Sequence, residues 1–594
     1  MKFLGDIDTK DVILLDVKYV KSKEKIKDCV MFLFKNVKTD KKYVLNVENP
    51  KMEIFFVKPE YRNFDYNQTA IEKDKCYSRK VSYKNITAVI AKEAGGEWLE
   101  YYKQCKETGN YRSLANLFHY NYSFGADLDI CDYYRCMWNI HYYNPETKVH
   151  LNKAFLDIEN DVVDFSGMPE KGEAPINAVS VCDARSMTVH TFCLRHSSRQ
   201  NPLIDEFEES LDRFNKLCHE TYDEEFPGFE YIIHMYDEEL ELIYDLFRVL
   251  KELDPDMLGI WNMGYDVPNI IARAIALGGD PIELFCDDEF QLHKLKYWED
   301  KHAKKPVLKK DYFDVTSKII WTDAMLNYGK LRKNRAQLRS TKLDYISKIE
   351  LGSGKFNYSG SYDKNLPYTN YENFILYSIK DVLLLYGIEK KTEDMDDVFS
   401  RATLNGSMYK SVFSQTKFLK NRFYIECYKD GFIAGNNANM DYSNAYRAGI
   451  DDDDEVKFDG AVVGDPELND HVGETIFGLQ SKYVFKYVID MDFSSMYPWT
   501  IISFNISAKT LIGKLIINNE YYHGNAKDMY EEDPSLKFEA GKEFFENYIT
   551  KDLIRLGVNW FNLPSINEMI SDLEELYPSK EEMVVTIGEW ICIL

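Results

Sequence analysis

At 594 residues the chain exceeds what one hydrophobic core can organise, and its 45% apolar content suffices for roughly three to five domains. Its 73 basic and 98 acidic residues leave a net charge of −25, which speaks against a protein that coats duplex DNA through its average surface and leaves only a local basic track for that purpose. No run approaches the ~18 apolar residues of a membrane span and no leader-like segment opens the sequence, so a soluble chain, neither secreted nor anchored, is expected.

Along the first 150 residues, short β-rich runs at 30–34, 44–47 and 86–90 alternate with polar turns, as in a small mixed domain over 1–150. From 151 to 392 the pattern becomes strand, strand, helix, strand, helix. It predicts an α/β core, with helices over 203–221 and 238–252 where apolar residues recur at threes and fours. Two basic stretches, 301–310 (KHAKKPVLKK) and 330–342 (KLRKNRAQLRSTK), each fit either a track for a polyanion or a solvated loop. Residues 393–470 read as a connector whose acidic run 451–455 is solvated, and 471–594 as a further, partial domain. There the apolar strand Tyr487, Val488, Ile489 delivers Asp492 to a turn closed by Tyr497 and Pro498. An acidic helical stretch (511–578) and an apolar terminus (584–594) follow. Such a terminus is expected to dock, either on a second polypeptide with Trp590 as anchor or back onto this chain. The predicted fold class is a multidomain mixture of α/β and α+β. Eleven cysteines, scattered from Cys29 to Cys592 without a Cys-x-x-Cys pair, indicate the reduced thiols of a cytoplasmic protein.

Three acidic elements carry chemistry. Residues 155–160 (FLDIEN) alternate as a strand does, so Asp157 and Glu159 project from one face and can share a divalent cation; a solvent-facing pair on an edge strand would read the same. In 259–268 (GIWNMGYDVP) an apolar strand end passes into a turn and a helix that presents Asp266, with Asn262 in reach to hold the turn; an ordinary helix N-cap is the plain alternative. In 377–381 (YSIKD), Tyr377 and Asp381 share a helix face, so the aspartate can join the cluster while the phenol points at an attacking water; many amphipathic helices carry such a pair. No histidine or cysteine cluster competes as a zinc site, and hard oxygen ligands favour Mg²⁺ or Mn²⁺.

In this order and at these separations the three elements resemble the proofreading 3′→5′ exonuclease of the family B DNA polymerases, and 490–498 (DMDFSSMYP) resembles the first polymerase motif of that family. Segments 120–138, 343–347, 458–461 (FDGA) and 505–507 extend the resemblance over most of 100–510, nearest to the replicative polymerases of T-even-type bacteriophages. It implies a DnaQ-like (RNase H-like) exonuclease core at 151–392. Asp157, Glu159, Asp266 and Asp381 then hold two Mg²⁺ or Mn²⁺ ions, which stabilise the attacking and leaving oxygens, and Tyr377 orients the nucleophile. It further implies that Asp492 binds the polymerase metals and that Tyr497 lies under the incoming dNTP sugar and excludes a 2′-hydroxyl. The implied ligands are primer-template and single-stranded DNA, in the cytoplasm of an infected bacterium. Phe155 and Tyr265 would either stack on unpaired 3′ bases or, as is favoured, pack in the core.

The sequence also departs from the family. No Asp-x-Asp follows Asp492 and no Lys-x-x-x-Asn-Ser-x-Tyr-Gly motif is present, whereas two cations about 4 Å apart need a second carboxylate. The expectation is the N-terminal subunit of a split polymerase whose second subunit carries fingers, thumb and the rest of the palm, with a sliding clamp as a further partner. A stand-alone exonuclease with a relic palm and a non-catalytic DNA-binding scaffold are the alternatives. A segment of one long polymerase would give the same string.

Overall fold

The computed structural model describes residues 11–436 apart from 23–26, 63–69, 304, 333–338 and 357–363, and beyond them only the backbone of four short strands. The chain divides into two compact units, Met1–Phe56 with Ala70–Asn437, and Val57–Thr69 with Ala438–Leu594.

The first unit opens with β1 (Val12–Val20), β2 (Cys29–Asn36) and β3 (Lys41–Glu48), an antiparallel meander in that order. The predicted runs at 30–34 and 44–47 fall in β2 and β3. Every residue of β2 but the last is buried, which suits its near-continuous apolar sequence. Then come β4 (Lys51–Val57), β5 (Ala70–Glu72), β6 (Cys76–Ser82), α1 (Ile86–Ala94), α2 (Gly96–Glu107), β7 (Ser123–Phe124) and α3 (Ile130–His141). Helix α1 corrects the β-rich reading of 86–90. Its buried Ile86, Ile90 and Ala91 recur at four and five, a helical stripe that the β-branched residues disguise. Asp129 starts α3 by accepting the Cys131 N–H at 2.9 Å.

The next elements are β8 (Lys153–Asn160), β9 (Ile176–Asp183), β10 (Thr188–Leu194), α4 (Leu203–Glu209), α5 (Leu211–Tyr222), β11 (Glu230–Tyr236), α6 (Glu239–Leu253), β12 (Met257–Ile260), α7 (Met263–Ala276) and α8 (Pro281–Phe285). They are followed by the hairpin β13 (Leu295–Trp298) and β14 (Tyr312–Val315), then β15 (Ile320–Asp323), α9 (Ala324–Leu331), α10 (Leu343–Leu351), α11 (Leu366–Thr369) and α12 (Tyr371–Thr392). Six strands form one sheet in the order β11-β10-β9-β8-β12-β15. Only β9 runs antiparallel to its neighbours. The expected helix at 203–221 is broken at Ser210 into α4 and α5, whereas that at 238–252 is α6. One face of the sheet packs under α12 and α10 through Phe155, Ala178, Cys182, Ile346 and Ile379, and the other under α6 and α7 through Leu156, Val179, Leu246 and Ile270. The core is therefore three-layered, helix on sheet on helix.

After α13 (Asp394–Leu404) and α14 (Gln415–Lys429), β16 (Phe432–Ala434) pairs antiparallel with β5, and Tyr424 and Ile425 share a core with Tyr133 and Trp138. The meander is fastened to the six-stranded sheet by charge. Lys35, 1% exposed, bonds Asp256, 0% exposed, just before β12, and reaches Asp40 at 2.6 Å. Asp256 also accepts the Asn152 N–H at 2.8 Å.

In the second unit Thr475–Ile476 pairs with Leu479–Gln480, and Leu511–Gly513 pairs with Ile591–Cys592, both antiparallel. The apolar terminal segment thus pairs with a strand of its own chain. Asp492, Tyr497, Trp590, the 451–455 run, the 458–461 segment and the amphipathic 566–576 stretch lie outside the described residues. Among the described residues no helix is long and apolar enough to cross a membrane, and ten cysteines are free.

Candidate functional site

Asp157 and Glu159 sit on β8, which lies between β9 and β12. Alternation along the strand leaves both half-buried on one face while Leu156, Ile158 and Asn160 turn inward. Above that face runs α12. Its Asp381, 1% exposed, completes a trio in which one carboxylate oxygen from each residue lies within 4.8 Å of the other two. Asp266 is buried in the first turn of α7, which follows β12, the parallel neighbour of β8. It stands outside the trio, yet near enough that Asp157 and Glu159 add to the effect of its burial and push its carboxyl well above the usual range. The turn before it is held by the backbone of Asn262, whose carbonyl accepts the Tyr265 N–H at 2.8 Å and the Asp266 N–H at 3.3 Å. The Asn262 side chain makes no cap bond.

Burying these carboxylates together raises their pKa values. Burial, then Asp381, lifts Asp157 to about 7 against the pull of Lys355. Burial, then Asp157 and Asp381, raises Glu159 well above its usual range. Asp381 is raised by burial although Lys355 and the Tyr377 phenol both favour its charged form. Its Oδ2 accepts from Lys355, while its buried Oδ1 has no hydrogen-bond partner. A buried carboxylate oxygen that lacks a donor, on a residue grouped with two more carboxylates, is what a hard divalent cation requires, so Asp157, Glu159 and Asp381 fit such an ion.

Lys355 is the site residue that sequence reasoning missed. It lies in the loop after α10, where its N–H donates to Asp344 Oδ1 at 3.0 Å, and its ammonium donates to the Tyr377 phenol oxygen at 2.6 Å. A Cβ added to Gly354 would fall 2.5 Å from that same Asp344 oxygen and 2.5 Å from Lys348 Cε, so a side chain there would push on the carboxylate that holds the Lys355 N–H. The glycines on either side of Ser353 were the available signal. Burial disfavours the ammonium, but Asp381, Tyr377, Asp157 and Glu159 outweigh it and raise the Lys355 pKa. Tyr377 sits one helical turn before Asp381 as expected, and burial followed by Asp381 and Glu159 keeps its phenol protonated. Asp323 was also missed: it ends β15, caps α9 through the Leu326 N–H at 2.7 Å, and is raised by burial to about 7.

Phe155 is a core residue, 1% exposed and edge-on to Tyr386 at 6.4 Å. Tyr265 donates to Asn160 Oδ1 at 3.1 Å. The 301–310 stretch links β13 to β14. In 330–342, Arg332 is committed to Asp394 by two bonds of 2.8 and 2.9 Å.

No protein-family model matches this sequence. Over 411 residues, 66% of this chain, it is 25% identical to a DNA-directed DNA polymerase of Escherichia phage RB69, 40% of which is covered. Over 404 residues, 64% of this chain, it is 23% identical to a DNA-directed DNA polymerase of Enterobacteria phage T4, 39% of which is covered. The chain is similar to DNA-directed DNA polymerases of T4-like phages, and it spans about two fifths of the length of these curated relatives.

Proposed function

We propose that this chain is the N-terminal portion of a phage replicative DNA polymerase and that residues 151–392 are its metal-dependent 3′→5′ exonuclease, DnaQ-like in fold. The convergence of Asp157, Glu159 and Asp381, with the partnerless buried oxygen of Asp381, carries this reading. The strand order supports the fold, with the acidic strand β8 central, one antiparallel neighbour β9, and the parallel β12 delivering Asp266. The accompanying division is 1–150 for an N-terminal domain, 393–470 for a connector and 471–594 for the start of a palm.

In the proposed reaction water attacks the phosphorus of the last phosphodiester of single-stranded DNA. The bond to the 3′ oxygen of the preceding nucleotide breaks, that oxygen takes a proton, and a nucleoside 5′-monophosphate leaves. Mg²⁺ or Mn²⁺ bound by Asp157, Glu159, Asp266 and Asp381 would stabilise charge on the attacking and leaving oxygens. The residues of the chain do the rest. Tyr377, protonated at neutral pH, orients the water through its phenol. Lys355 fixes that phenol and sets Asp381 by holding one of its oxygens. Asp492 and Tyr497 would serve the polymerase centre, the first as metal ligand and the second against the 2′ position of the dNTP; the second carboxylate of that centre is not in an Asp-x-Asp after Asp492. Synthesis therefore calls for residues beyond these 594, from whichever polypeptide brings them.

Replacing Asp157 and Glu159 together by alanine should abolish nucleotide release from single-stranded DNA and leave the circular dichroism unchanged. Undiminished hydrolysis by that variant would sink the assignment.

A further inference from the structure

The converging trio of carboxylates is split between two elements that lie far apart in the chain. Asp157 and Glu159 ride on β8, and Asp381 rides on α12. Ligand distances at a metal tolerate about 0.2 Å, whereas a helix slid by one residue moves 1.5 Å. Apolar contact alone positions α12 poorly for this purpose. The helix buries Phe374, Ile375, Leu376, Ile379, Val382, Leu383, Leu384, Leu385 and Ile388, and such packing is non-directional.

Directional contact between the sheet and the stretch of α12 that carries Asp381 comes from three buried hydroxyls, beside the Tyr222 phenol that donates to the Leu376 carbonyl at 2.6 Å from α5. Ser378 on α12 meets Ser180 on β9 with their oxygens 2.8 Å apart, and Ser180 meets Thr191 on β10 at 3.0 Å. All three are 0% exposed. A hydroxyl buried among apolar groups costs free energy unless bonded, so a chain of three between a helix and a sheet makes a specific seat rather than a general adhesive. Its place matters. Ser180 is the direct cross-strand partner of Asp157 and shares its face of the sheet. Ser378 follows Tyr377 and precedes Asp381 by three, on the same side of α12. The route from Asp157 across one strand pair to Ser180, through one hydrogen bond to Ser378 and along less than a turn to Asp381 links both halves of the trio. A further side-chain bond from the sheet to α12, Lys153 to Glu389 at 2.7 Å, lies about three turns beyond Ser378.

We infer that Ser378 and Ser180, backed by Thr191, are positioning residues that set the height of α12 over the sheet and thereby the spacing of Asp381 from Asp157 and Glu159. This rests on the reading of that trio as a metal centre. None of the three hydroxyls is a catalytic residue.

The test uses the full chain, freed of metal, and titrates it with Mn²⁺ by electron paramagnetic resonance or calorimetry while thermal stability is measured in parallel. Ser378→Ala leaves Ser180 bonded to Thr191 and removes only the tie to the helix; it should weaken Mn²⁺ binding by about tenfold, the scale seen when a partner behind a metal ligand is lost. Ser180→Ala with Ser378→Ala removes both sides of the tie and should show the same loss. Thr191→Val lowers the melting temperature but should change Mn²⁺ affinity by less than twofold. Unaltered Mn²⁺ affinity in Ser378→Ala and in the double variant overturns the positioning role while the metal centre stands. A parent chain whose Mn²⁺ binding is absent, or is indifferent to Asp157→Asn, overturns the metal centre and this inference with it.

Discussion

Neutralising a ligand of the trio should make the metal-free chain more stable, because the site holds charges that the fold itself does not balance. Asp157→Asn is the cleanest change, being isosteric. Unit charges 4.8 Å apart, the outer limit within the trio, repel by roughly 3.5 kcal/mol at an effective dielectric of about 20. Asp157 faces two such neighbours, Glu159 and Asp381, and one compensating ammonium, Lys355, so one repulsion is left uncancelled. Burial first, and Asp381 second, shift its carboxyl from 3.8 to about 7, a cost of similar size that desolvation and repulsion share and that asparagine relieves. Half-burial and local relaxation reduce this to about 2 kcal/mol. The folded chain keeps a proton that the unfolded chain sheds between pH 3.8 and about 7, so the parent loses stability as pH rises through that window and the full deficit is present above it. Scanning calorimetry in EDTA at pH 8 should show the transition of the first unit roughly 2 °C higher in Asp157→Asn, a gap that narrows as the pH falls towards 4. Saturating Mn²⁺ should reverse the order, since only the parent binds it well. A variant that melts at or below the parent in EDTA at pH 8 would refute the idea that these carboxylates are held together against their repulsion.

Lys35→Met should cost about 3 kcal/mol in urea unfolding, because it strands the fully buried Asp256 with only Lys42 at 3.7 Å to answer its charge; a loss below about 1 kcal/mol would mean the pair does not lock the meander to the sheet. Lys355→Ala should lower nucleotide release at saturating Mg²⁺ by roughly 10- to 100-fold through a misplaced Tyr377 phenol, with rates of single-stranded DNA binding unchanged; parental turnover would remove Lys355 from the proposed mechanism. Mg²⁺ affinity should rise with pH up to about 7 and then level, because binding must displace the proton of Asp157; a flat profile between pH 6 and 8 would contradict the raised carboxyl.

Much of the site was legible because its signals are local. Alternation fixes the common face of Asp157 and Glu159, and spacing by four puts Tyr377 and Asp381 on one side of a helix. What stayed hidden depends on tertiary closure. Lys355 belongs to a glycine loop with no periodicity, and it acquires meaning only when that loop folds over α12. Ser180 and Ser378, 198 residues apart, are unremarkable as text, and their meeting follows from the register of β9 against β8. The misreading of 86–90 has the same origin in reverse, since β-branched residues suggest a strand until the helical spacing of the buried ones is known.

The central claim is metal-dependent hydrolysis from the 3′ end, and one digestion tests it most directly. Single-stranded DNA labelled separately at each end is incubated with the purified chain in Mg²⁺ and in EDTA. The account predicts that the 3′ label is released first as a nucleoside monophosphate while the 5′ label marks a ladder of shortening strands, and that EDTA or Asp157→Ala with Glu159→Ala stops both. Release beginning at the 5′ end, internal cleavage, or digestion that persists in EDTA would contradict it.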